Sequence, residues 1–182
     1  SIDTLVMPTL SSHKEFQKFE IYAETAGTAV RTLERGDVID IYGGPVFMVM
    51  SPDKKGLDIN MNMNDVSIVL KCMYKNSCIL FTGDAEHASE QKMQLYKNFL
   101  KSDIIKVGHH GSITASSTEF RNLVSADYGI VSVGKFNRFG LPSEHRLNEF
   151  IQEGTQILRT DEHGAVEAII YRDSSIEVNT HF

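Results

Sequence analysis

The chain has 182 residues, 41% of them hydrophobic and 23% charged, with a formal net charge of −6. That composition is ordinary for one globular domain with a real core. The longest apolar runs, such as Val46 to Met50 and Ile79 to Phe81, fall far short of the ~20 residues a membrane span requires, and the acidic balance argues against a protein that grips nucleic acid by bulk charge. It leaves room for a phosphodiesterase whose positive charge is carried by bound metal ions.

In chain order, Ile2 to Met7 reads as a buried strand ended by Pro8, and Ser11-Ser12 caps a helix from His13 to Glu24 that stops near Gly27. Thr28 to Leu33 is a strand, and Val38 to Tyr42 and Val46 to Met50 form a hairpin around Gly43-Gly44-Pro45. Ser51 to Asn64 is polar and reads as a long loop; loops of that length are often functional. Ser67 to Tyr74 and Cys78 to Thr82 are strands joined at Lys75-Asn76, a turn that opposes position 73 to 78 and so sends Cys72 and Cys78 to opposite faces. Free thiols are favoured there over a disulfide.

Ala85 to Leu100 carries apolar residues at helical spacing, with Glu86 and Glu90 near its N-terminus, where the helix dipole favours acids. Strand and helix then alternate: Ile104 to Val107, a capped helix from Ser116 to Val124, Tyr128 to Val133, a helix from Pro142 to Gly154, and Gln156 to Arg159. A hairpin of Gly164 to Tyr171 and Ser175 to Asn179 closes the chain. The sum is an α/β architecture with a strand-rich start, in a single domain.

Two places carry chemistry. Asp84 follows the strand Ile79-Leu80-Phe81 and a Thr-Gly pair, at the strand end where α/β proteins put ligands; a plain helix N-cap explains it equally. Gly108-His109-His110-Gly111-Ser112 occupies the same position after its own strand. Glycines on both sides let the backbone turn sharply and leave two imidazoles accessible, and imidazole is a natural ligand for zinc, manganese or iron. A surface His-His turn is the bland alternative. Parallel neighbouring strands would bring both blocks to one sheet edge, which makes part of a metal site; hydrolytic centres use at least three protein ligands. His13, His87, His163 and His181 read as solvent-facing or turn residues.

The blocks Asn64-Asp65-Val66-Ser67-Ile68-Val69-Leu70, Leu80-Phe81-Thr82-Gly83-Asp84, Ile105 to Ser112, Val131-Ser132-Val133-Gly134, Asn137-Arg138-Phe139-Gly140 and Leu158-Arg159-Thr160-Asp161 run in order over roughly residues 28 to 170. Together they resemble the C-terminal metallo-β-lactamase-like domain of ComEC-type DNA-uptake (competence) proteins. The resemblance implies an α/β metallo-β-lactamase-like αββα sandwich, incomplete at its N-terminus, and a metal-dependent nuclease that degrades one strand of incoming DNA. It implies zinc or manganese, two ions in a complete domain, with Asp84 as bridging carboxylate and His109 or His110 as ligand or close neighbour. Lys106 and Ser112 would support the site and contact a phosphate. The implied partners are DNA and the rest of a membrane channel protein, with this domain soluble on the extracytoplasmic side of a bacterial membrane.

The sequence departs from that pattern twice. The family's main metal motif, His-x-His-x-Asp-His, precedes the region matching Ile2 to Pro8 and is absent, so the chain is expected to be a truncated piece rather than a lineage that lost the motif, and to bind metal poorly by itself. Leu141 stands where the family usually has histidine, in Asn137-Arg138-Phe139-Gly140-Leu141-Pro142; His145, one turn on, is a weak substitute. Leucine there admits a second reading, a degraded module that holds or guides DNA, and a third is a phosphodiesterase for choline-phosphate esters.

Overall fold

The computed structural model of the protein describes residues 2–8, 14–53 and 62–182. Eleven strands and five α-helices are described, in three sheets. β1 (Thr4–Pro8) and β2 (Ala29–Leu33) pair in parallel across α1 (Lys14–Thr25). The main sheet takes β3 (Val38–Asp40), β4 (Val46–Ser51), β5 (Val69–Tyr74), β6 (Ser77–Phe81), β7 (Ile104–Lys106), β8 (Tyr128–Val131) and β9 (Gln156–Arg159) in that spatial order. β10 (Ala165–Ile170) and β11 (Ile176–His181) form the closing hairpin.

The direction of pairing changes at β6. β3 to β6 are antiparallel neighbours, joined by short turns except for the long loop between β4 and β5, whereas β6 to β9 are mutually parallel. Parallel strands need crossovers that cover the sheet faces, and these are supplied by α2 (His87–Met93), the 3₁₀ segment Gln94–Leu100, α3 (Thr118–Val124) and α4 (Glu144–Gln152). Leu80, Ile104, Ile105, Val107 and Val131 are buried as a result, and Phe120, Leu147, Phe150, Met93 and Leu100 cluster with Leu80, Ile105, Val107 and Val131. Successive residues Ile104 and Ile105 are both fully enclosed, so both faces of β7 are covered.

Several expectations are corrected. Ile2 and Val6 are exposed, so the first strand is a partly solvated pair with β2 rather than a buried one. The single helix expected over 85–100 is broken at Lys97, whose φ of 48° and ψ of −126° lie outside helical space. The Ser116-Ser117 cap makes no side-chain bond to α3; the buried Glu90 carboxylate accepts the Ser116 and Ser117 N–H groups instead. His163, read as part of a turn over Asp161 to Gly164, instead ends the short α5 (Thr160–His163). Cys72 and Cys78 are both free, and the Met73–Cys78 pairing expected from the turn is present. Ser11, Ser12, His13 and positions 54–61 of the long loop lie outside the described residues. The loop's end, Met63–Val66, is a 3₁₀ turn capped by the Asn62 side chain. Among the described residues no helix is long and apolar enough to cross a membrane.

Candidate functional site

Strand register decides what meets at the sheet edge. Phe81 lies opposite Lys106, and Lys106 opposite Ile130, so Asp84 and His109, each three residues past those partners, emerge side by side. Local backbone then turns the groups inward. Gly83 has φ +56°, and a Cβ there would come within 2.9 Å of the Ser67 Cβ, so glycine is required where the chain passes over β5's entry. Ser67 in turn accepts the Asp84 N–H at 3.1 Å. His109 and His110 both adopt left-handed backbone, with φ of 45° and 55°, a conformation costing about 1–3 kcal/mol per residue that clusters at functional sites. Gly111, at φ +81°, admits Pro142 so closely that a Cβ would lie 2.6 Å from it.

The two imidazoles are held by the same device. His110 Nδ1 lies 2.6 Å from the Ser132 carbonyl, and His109 Nδ1 lies 2.7 Å from Glu86 Oε1. A carbonyl only accepts, so His110 carries a proton on Nδ1, and its Nε2 faces Asp84 Oδ1 at 3.6 Å. Anchoring of Nδ1 by a carbonyl or carboxylate is the arrangement that orients metal-ligating histidines. Glu86 is itself fixed by Asn62, Asn64 and Thr114. Burial opposes its charge, but the bonds from Thr114, Asn64 and His109 outweigh that and hold its carboxyl below the usual value.

Lys106 donates to the Gly83 carbonyl at 2.9 Å and sits 4.0 Å from Asp84 Oδ1. Burial pulls its pKa down, and the Asp84 charge recovers only part of the loss. The Ser112 hydroxyl bonds Thr114 Oγ1 at 2.9 Å. Asp84, His109, His110, Ser112, Phe139 and Leu141 line one open cavity of about 390 Å³. A neighbouring one of about 440 Å³ shares His110, Phe139 and Leu141 and extends to Ser132, Asn137 and Thr160.

All five residues singled out in the sequence, Asp84, Lys106, His109, His110 and Ser112, therefore fall in one region. Leu141 does as well, so the leucine stands on the wall of the cavity that the Asp84 and histidine side chains share. His145 does not substitute for it: its side chain is 75% exposed and lies 3.8 Å from Glu149 on the surface of α4. Sequence reading missed Glu86, assigning it to the helix dipole, and missed Ser67 and Ser132; no spacing signals a backbone carbonyl that orients a ring.

Whether the residues suit a divalent ion divides into two parts. Asp84 Oδ1 and His110 Nε2 are close enough for one ion, with ligand distances of about 2.0–2.2 Å, to touch both. Yet among the described residues no group of three or more His, Cys, Asp or Glu side chains converges. The fit is that of a half-site, two donors and an oriented neighbour.

No protein-family model matches the chain. It is 32% identical over 168 residues to ComE operon protein 3 of Bacillus subtilis, covering 91% of this chain and 21% of that protein. Competence protein ComA of Neisseria gonorrhoeae is 36% identical over 59% of this chain and 16% of its own length, and Recombination protein 2 of Haemophilus influenzae 32% identical over 54% and 12%. The chain thus spans about a fifth or less of these relatives. Among solved structures it resembles the CmlA beta-hydroxylase E377D mutant, with a TM-score of 0.56 at 11% identity over 85% of this chain and 37% of that one, a likeness of fold alone. With that architecture and 32–36% identity to several of its members, the chain has a metallo-β-lactamase-like fold and belongs to the ComEC-type competence proteins.

Proposed function

We propose that this chain is the phosphodiester-hydrolysing segment of a DNA-uptake protein, acting on incoming DNA outside the cytoplasm beside a membrane channel. The observation that carries the reading is the Asp84–His110 pair, a carboxylate and a pre-oriented imidazole 3.6 Å apart at the C-terminal edge of the parallel strands. Asp84 and His110 would hold a divalent ion, zinc or manganese, with His109 as a close neighbour and the other donors of a two-ion centre completing it from outside the described residues. Such an ion lowers the pKa of water and polarises a phosphoryl oxygen. The chain's own part is to fix the geometry. Ser132 and Glu86 lock the two rings, Ser67 and Gly83 set the Asp84 backbone, and Lys106 and Ser112 offer a cation and a hydroxyl for a phosphate oxygen.

Leu141 favours a second reading, a module that holds DNA without cutting it, because an apolar side chain occupies cavity wall where a further donor would stand. The complete protein carrying this chain separates the two. Cleavage of a labelled single-stranded oligonucleotide should require manganese or zinc, and should fall with Asp84→Ala by more than the about 10–100-fold that loss of an outer-shell partner costs. Leu141→His should raise it. Metal-independent cleavage, or none in protein that binds DNA, overturns the hydrolase reading, and turnover of choline-phosphate esters instead would reassign the substrate.

A further inference from the structure

Between β8 and α4 the chain makes a loop, Gly134-Lys135-Phe136-Asn137-Arg138-Phe139-Gly140-Leu141, that the site geometry leaves largely unused. Phe136 is 94% and Phe139 70% exposed. Water is a poor environment for two neighbouring phenyl rings, so their position needs a reason. The loop is not slack. Asn137 braces it from the inside, its Nδ2 donating to the Gly134 and Leu141 carbonyls at 3.1 and 2.6 Å and its Oδ1 accepting from the Phe139 and Leu141 N–H groups at 3.2 and 3.1 Å. Phe136 is held at φ +63°, a conformation bulky residues rarely adopt.

Each ring carries a cation. Lys135 Nζ lies 5.9 Å from the Phe136 ring centre and the Arg138 guanidinium 5.0 Å from that of Phe139. Neither forms an ion pair with a carboxylate among the described residues, which leaves both able to meet a phosphate. Two cations interleaved with two exposed rings make a local basic and aromatic strip in a chain of net charge −6. Phe139 also lines both cavities beside His110.

We propose that this loop is a stacking platform for single-stranded DNA, Phe136 and Phe139 taking successive bases and Lys135 and Arg138 the phosphates between them, so that the strand is led past Asp84 and His110. The proposal rests on the DNA reading above and supplies its strand preference. Phenyl rings stack on a base of any identity, but only where the base face is bare, which duplex DNA does not offer. At a net charge of −6, bulk charge cannot supply the affinity instead.

The test is fluorescence anisotropy of a labelled oligothymidylate with the whole chain in EDTA, where metal chemistry is silent. A failed cleavage assay then leaves this result standing, and the reverse. Single strands should bind more tightly than duplex. Phe136→Ala and Phe139→Ala should each weaken binding about tenfold, with Phe136→Tyr retaining it. Lys135→Gln with Arg138→Gln should lower the salt slope by about 1.4, two contacts at ~0.7 each. Both rings are exposed, so an unchanged unfolding midpoint verifies that the variants fold. Duplex preference, absence of binding, or phenylalanine variants that bind as the parent does would overturn the proposal. So would a loss of self-association on size exclusion without any change in DNA affinity, which would make the patch a protein contact.

Discussion

Asp84 and His110 owe their usefulness to atoms that a sequence does not advertise. The His-His pair between glycines was legible as exposed imidazole chemistry, and the Thr-Gly-Asp block as a strand-end carboxylate, because both follow short apolar strands. The Ser132 carbonyl and the Glu86 carboxylate, which give the rings their direction, were not, since a backbone oxygen has no residue code and Glu86 resembles any helix-start acid. Glu86 makes its role measurable through pH. Its carboxyl is held below the usual carboxylate value by Thr114, Asn64 and His109, against the effect of burial. The folded state therefore binds fewer protons than the unfolded one, and the stabilisation is present above the ordinary carboxylate pKa and lost as pH falls through the lowered one. Thermal unfolding followed from about pH 6 to about pH 3 should show a shallower loss of midpoint in Glu86→Gln than in the parent. Equal slopes would mean that Glu86 is not an ionised anchor for His109.

At the scale of elements, the β-strands were found because two residue patterns, apolar runs and turn residues, mark them independently. The helix over 85–100 was misread because its apolar spacing is real on both sides of a break. What the spacing hides is Lys71 on β5, a buried ammonium that donates to the Phe99 and Lys101 carbonyls and lies 4.6 Å from the Phe99 ring centre. Its own pKa is lowered by that burial. The chain past α2 closes down onto Lys71, and Lys97 takes up the change of direction at φ 48°. Lys97 is exposed, so its side chain is expendable while its backbone is strained. Lys97→Gly should raise stability by about 1 kcal/mol, relief of the strained conformation outweighing glycine's entropic cost, and a higher urea midpoint at unchanged slope would report it. A lower midpoint would show that the kink carries no strain.

For the molecule as a whole, the switch from antiparallel to parallel pairing at β6 is the organising event. It puts the ends of β6, β7, β8 and β9 on one edge, and the register between Phe81, Lys106 and Ile130 brings the loops after those strands to a common height. This much followed from reading alternating strands and helices. A partial metal site was legible too; what the sequence concealed is its geometry, in which Asp84 faces His110, no third His, Cys, Asp or Glu side chain joins them among the described residues, and Leu141 stands on the cavity wall. The most direct test is manganese titration of the whole chain followed by electron paramagnetic resonance, alongside Asp84→Ala and His110→Ala. A two-donor half-site predicts weak binding that disappears in both variants while the fold persists. No binding by the parent chain, or binding that both substitutions leave unchanged, would contradict it.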